Sequence, residues 1–179
     1  EYELSDIGLV QPPENASDSV FYQTTKEFDK LRFSKSSLRV RTTSRGVVLS
    51  GKARYKPENA DDYKVDSNGY TTTAEEDILI IQGISEKESQ LIQEFVPVAV
   101  QNETSGFRKS AGKTISLVDR FRDIVLPKLE EVQEEFEQYL EVKVRSDELE
   151  EEILRAESMI DDITYDLYGI TENEREIIE

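Results

Sequence analysis

From Leu31 onward apolar and polar residues alternate with a period of two, Leu31, Phe33, Leu38 and Val40 facing one way and Arg32, Arg39 and Arg41 the other. After Ser44-Arg45-Gly46 the alternation resumes with Val47, Leu49, Ala53 and Tyr55, which predicts an antiparallel hairpin with a packed apolar face and a basic face carrying Arg39, Arg41, Lys52 and Arg54. Ile78–Gln82 is apolar enough for a buried strand. Ser85 with Glu88 forms a capping box that opens a helix through Leu91, Ile92, Phe95 and Val96, and Pro97 is expected to limit it. From Thr114 the period lengthens. Ile115, Val118, Val125, Leu129, Val132, Phe136 and Tyr139 fall near three-and-four spacing, with Pro127 suited to a first turn or a kink. Leu149, Ile153, Ala156, Ile160, Ile163 and Leu167 then step by four and three, a heptad seam. With residues 141–147 as connector, the two stretches read as an antiparallel helical hairpin. Gly169 reads as its stop, and Thr171 with Glu174 as the cap of a short last helix.

The expectation is therefore an α+β chain: a small, mostly antiparallel β-containing module with one helix over residues 1–113, then a coiled-coil-like helical hairpin and short terminal helix over 114–179. Residues 1–19, with Pro12 and Pro13, read as an extended lead-in from an upstream domain, and the polar stretch 57–77 as a long mobile loop.

Composition narrows the function. There is no cysteine and no histidine among the 179 residues, which removes thiolate chemistry and the usual metal ligand and neutral-pH base. The net charge is −17, from 39 acids and 22 bases. Concentrated salt screens such self-repulsion, so a salt-loving source is expected, with an ordinary acidic protein as the alternative. No apolar run has the length of a membrane span or a signal peptide, so the chain is expected to be cytoplasmic, without membrane contact, and, opening on Glu1, to be a piece of a larger protein.

Charge is unevenly spread. Residues 26–56 hold ten bases and two acids, an island that calls for explanation in an acidic chain. Two readings stand: the strand face pairs with acids elsewhere in the chain, or it binds a polyanion, with Arg39, Arg41, Arg45, Lys52 and Arg54 as first candidates for DNA contact. On the second reading, replacing Arg39 and Arg41 with alanine weakens DNA binding. The stretch Gly106–Thr114 resembles a phosphate-binding loop, but five residues separate its glycines where four are required. It is open whether it is a flexible loop or holds a DNA phosphate through Arg108, Lys109 and Lys113. The acidic clusters Glu130-Glu131, Glu150–Glu152 and Asp161-Asp162 read as solvated helix faces. No catalytic residue and no metal ligand is assigned.

The run Ile160-Asp-Asp-Ile-Thr-Tyr165-Asp-Leu-Tyr168-Gly169-Ile-Thr-Glu-Asn-Glu174, ending in Ile177-Ile178-Glu179, resembles the closing signature of bacterial and archaeal N6-adenine DNA methyltransferases, including fused restriction-modification enzymes. Residues 114–127 are similar to that family's approach to its terminal helices. The resemblance implies that the catalytic half, with its S-adenosylmethionine site, lies upstream. Gln11-Pro12-Pro13-Glu14 lacks both the amide and the aromatic of the family's catalytic motif, so this chain carries no cofactor of its own. What it implies here is target recognition on double-stranded DNA, placing a flipped adenine before the upstream catalytic domain. The rival is a protein-interaction module that uses the heptad seam for subunit assembly, self-association included.

Overall fold

The computed structural model describes residues 1–170 and divides into two compact units, Glu1–Glu131 and Val132–Glu179. The first is α+β with antiparallel sheets, as the sequence implies. Its strands are β1 (Tyr2–Glu3), β2 (Leu9–Gln11), β3 (Asp29–Phe33), β4 (Arg39–Thr43), β5 (Gly46–Gly51), β6 (Ala53–Lys56), β7 (Thr71–Thr72) and β8 (Glu76–Gln82). Helices α1 (Glu86–Asn102) and α2 (Leu117–Arg122) follow, then β9 (Val125–Leu126) and the start of α3 (Leu129–Tyr168).

The expected hairpin is β4–β5, with Arg39 opposite Ser50 and Thr43 opposite Gly46. Gly46 has φ 115°, and a Cβ there would lie 2.2 Å from the Ile81 carbonyl oxygen, so both the turn and the approach of β8 require glycine. β8 pairs with β5 and β2, giving a four-stranded sheet in the order β2-β8-β5-β4. Val47 lies opposite Ile81 and Leu49 opposite Leu79, and these four belong to the core with Ile92, Val96, Ala99 and Val100 of α1. Val48 and Ile80, opposite each other on the other face, are also buried, which explains why these two strands read as apolar runs.

β3 and β6 form a different, three-stranded sheet, β3-β6-β7. Its inner face contributes Leu31, Phe33 and Ala53, all buried. The ring of Phe33 meets Phe121 edge-on at 5.0 Å, with Phe107 at 6.3 Å and Phe21 at 6.1 Å between centroids. This aromatic cluster packs β3 against α2, and Phe33 also lies close to Gly51 of β5.

Four expectations change. Residues 1–19 are not a lead-in: β1 pairs with β9, β2 pairs with β8, and Leu4 is fully buried. Pro97 does not stop α1, which runs on to Asn102: the packing of Val96, Ala99 and Val100 beside it offsets the lost hydrogen bond, and Pro97 itself is exposed. The compact unit does not end near residue 113. Ser116 caps α2 in a capping box with Asp119, and Leu117, Val118 and Phe121 are buried in the core. Finally, the expected helical hairpin is absent among the described residues. Residues 129–168 form one continuous helix, since 141–147 contain neither glycine nor proline to break it. Arg145 pairs with Glu148, and Arg155 with Glu151, one turn apart along it.

The expected stop is present. Gly169 has φ 65°, its amide donates to the Asp166 carbonyl, and the Ile170 amide donates to that of Tyr165, the two bonds of a Schellman motif. The box expected at Thr171 and Glu174, with the short last helix, lies outside the described residues. No helix among the described residues is long and apolar enough to cross a membrane.

Candidate nucleic-acid interface

The basic island is divided among three places. On the β4–β5 hairpin, Arg39 pairs with Glu75 at 3.2 Å. Arg41 donates to Asp77 at 2.7 Å and to Ser50 Oγ at 3.0 Å, and Arg45 reaches the other Asp77 oxygen at 3.4 Å. Two acids entering and beginning β8 thus engage three arginines. For these arginines the structure has the in-chain pairing that was one of the two readings of the basic face.

A second group gathers at the carboxyl end of α1, where orphan carbonyls and the helix dipole attract cations. Lys35 donates to the Gln101 carbonyl at 2.9 Å, and Arg108 to the Glu103 and Phe107 carbonyls at 2.8 and 2.7 Å. The Glu103 carboxylate takes Lys35 at 3.3 Å and Lys109 at 3.2 Å. Partial burial pushes this carboxyl up, but the Lys109 amide and ammonium and the Lys35 ammonium outweigh it and hold it below its ordinary value, 4.5. A depressed folded-state value gives stability that is fully present above 4.5 and lost as the pH falls through the lower one. Glu103→Gln is therefore expected to flatten the acid limb of the stability profile below about pH 4.5, read by urea melts at stepped pH. An unchanged limb removes Glu103 from the acid sensitivity.

The segment resembling a phosphate-binding loop is tied to β3 instead of cradling an anion. The Phe33 amide donates to the Lys109 carbonyl at 2.7 Å, and the Ala111 amide to the Leu31 carbonyl at 3.0 Å. Among the described residues neither Lys113 nor Lys52 is in an ion pair. Lys52 serves through its backbone, its amide bound to Ser37 Oγ and its carbonyl to the Ser34 amide.

The third place is the outer face of β3-β6-β7. Ser110, Arg32, Arg54 and Thr72 stand opposite one another in successive strands, a row about 14 Å wide at the usual strand spacing. Opposed residues of antiparallel strands share a face, so two arginines are set side by side, a like-charge pairing that costs stability. The ring of Tyr70 lies across them, 3.9 Å from the Arg32 guanidinium carbon, 5.2 Å from that of Arg54 and 5.3 Å from the Lys56 ammonium. Tyr70 is held by a closed turn: its amide and that of Asn68 bind the Asp66 carboxylate at 3.0 and 2.9 Å, and the Asp66 amide binds the Tyr70 carbonyl at 2.8 Å. The Tyr70 amide, ahead of that of Asn68 and of Arg54, holds the Asp66 carboxyl below its ordinary range against a smaller opposing effect of burial. Arg54 pairs with Asp66, while neither Arg32 nor Lys56 is in an ion pair among the described residues. Arg120 donates to the Ser110 carbonyl at 3.1 Å and extends the row.

No protein-family model, curated protein or solved structure matches the chain.

Of the residues named from the sequence as candidate DNA contacts, only Arg54 lies in this row. Arg32 was legible as a polar-face residue of β3, but its neighbour was not, because β3 skips the intervening hairpin to pair with β6. Tyr70 and Asp66 sit in a stretch whose Asp-Ser-Asn-Gly composition signals a turn without saying what the turn carries. A groove of about 770 Å³ between the Ser44-Arg45 turn and the start of α1 has an amide- and hydroxyl-rich wall, including Thr42, Gln82, Gln90 and Gln93.

Proposed function

We propose that this chain is the DNA-target-recognition part of a site-specific adenine-N6 DNA methyltransferase of the restriction-modification kind. The observation that carries the DNA-binding part of this reading is the row Arg120, Arg32 and Arg54, with Lys56. It gathers four cations beside two acids, Asp66, which pairs with Arg54, and Asp29, which stands opposite Lys56, in a chain of net charge −17. The Arg32 guanidinium lies 3.9 Å from the Tyr70 ring centroid and is in no ion pair among the described residues, which leaves N–H donors for phosphate oxygens. The arginines of the β4–β5 hairpin are weaker candidates, since DNA would have to displace Glu75 and Asp77. The groove beside α1 offers the neutral donors and acceptors that read base edges. The methyltransferase assignment rests on the resemblance of residues 114–127 and 160–179, and it leaves the reaction and S-adenosylmethionine to an upstream catalytic part.

The test is retention of duplex DNA from a randomised pool by the 179-residue chain at moderate and at high salt. Enrichment of a short motif that persists at high salt supports target recognition, because base contacts survive when counterion release is suppressed. Retention without a motif leaves only phosphate attraction, and no retention at either salt sinks the reading.

A further inference from the structure

Among the described residues, the seam expected between two arms of a hairpin has no second arm. Leu149, Ile153, Ile160, Ile163 and Leu167 lie on one continuous helix, and Ile153 is 56% exposed and Leu167 78%. Residues 149–167 hold the four-three spacing without a break, so with Ala156 they form one stripe about 27 Å long at 1.5 Å per residue. A stripe of that length matches a second helix, whose knobs fill the holes between successive seam residues.

The charges beside the stripe select the partner. With Ile153 and Ile160 as a positions and Ala156 and Ile163 as d positions, the flanking e and g positions are Glu150, Glu152, Glu157, Met159, Thr164 and Asp166, four acids and no base. Over its full length α3 carries fifteen acids against three bases. A second copy sets acids against acids in either orientation, since parallel pairing joins g to e and antiparallel pairing joins g to g and e to e. We infer that the seam of α3 is a docking site for a basic amphipathic helix of another chain or domain, one with aliphatic a and d positions and lysine or arginine at e and g. This stands on α3 alone and does not depend on DNA binding by the first unit.

The test uses two synthetic five-heptad peptides, both with Ile at a and Leu at d, one with Lys and the other with Glu at every e and g. Binding of each labelled peptide to the 179-residue chain is read by fluorescence anisotropy, and the state of the chain alone by sedimentation velocity. The Lys peptide is expected to bind more tightly than the Glu peptide by about tenfold or more, with the chain alone monomeric. Ile153→Glu combined with Ile160→Glu is expected to weaken binding by about a hundredfold, while Leu154→Glu, at a b position, changes it by less than about twofold. Every one of these changes adds negative charge. Attraction to the acidic helix without seam packing would therefore strengthen binding in all of them, and that outcome overturns the proposal. Equal affinity for the two peptides, binding of neither, or self-association of the chain at the concentrations used also overturns it, the last by making a second copy the occupant.

Discussion

Phe33→Ala is expected to cost the first unit about 3–5 kcal/mol, the range for emptying a buried phenylalanine site that cannot collapse. The site is closed on several sides. Phe33 is 2% exposed, three other phenylalanine rings stand 5.0 to 6.3 Å from its centroid, and a Cβ on Gly51 would come within 2.6 Å of its ring. Phe21, Phe107 and Phe121 are themselves fully buried and belong to three separate segments, so no single neighbour can move in to fill the space. Since small domains keep only about 5–15 kcal/mol in all, the variant is expected to sit at the edge of unfolding. Urea melts followed by circular dichroism measure the loss, with Phe33→Leu as the partner variant. Leucine keeps most of the volume, and its cost is expected to stay below that of alanine by about 2 kcal/mol. A loss under about 1 kcal/mol for alanine would mean that the aromatic cluster is not the centre of the core.

What was legible in the sequence was local. The β4–β5 hairpin, the buried strand β8, the Ser85 capping box and the glycine stop at 169 each depend on residues within a few positions of one another, and each is present. Pairings between distant segments were not legible. The opening strands find partners in β8 and β9, roughly seventy or more residues away, and no periodicity within three-residue strands announces that. The connector at 141–147 was misread because the apolar spacing changes phase there. A phase change ends a seam, but only a breaker ends a helix, and that stretch has none. The candidate interface divides in the same way. The polar side of β3 was evident, whereas the acids that occupy Arg39, Arg41 and Arg45, and the turn that lays Tyr70 on Arg32, come from the polar stretch 57–77, where composition shows turns but not destinations.

The row on β3-β6-β7 makes the sharper functional prediction. If Arg32 and Arg54 each neutralise a phosphate, Arg32→Gln with Arg54→Gln is expected to weaken duplex binding by about a hundredfold at moderate salt and to lower the slope of log affinity against log salt by about two. Glutamine keeps side-chain length and hydrogen-bonding groups, so the loss reports charge. The double variant also removes the repulsion between two arginines placed opposite each other, which offsets part of the lost contact with Tyr70 and Asp66. Its thermal midpoint should therefore stay near that of the unaltered chain, separating weakened binding from weakened folding. Arg39→Gln with Arg41→Gln is the contrasting pair. Those side chains are engaged by Glu75 and Asp77, and removing them frees the Glu75 carboxylate and leaves Asp77 to Arg45 alone. A modest fall in affinity with a nearly unchanged salt slope is expected there, since added repulsion differs from the loss of a counterion-releasing contact. The reverse ranking, with the slope falling for Arg39 and Arg41 and not for Arg32 and Arg54, would place the DNA on the four-stranded sheet, with Glu75 and Asp77 as the groups that the phosphates displace.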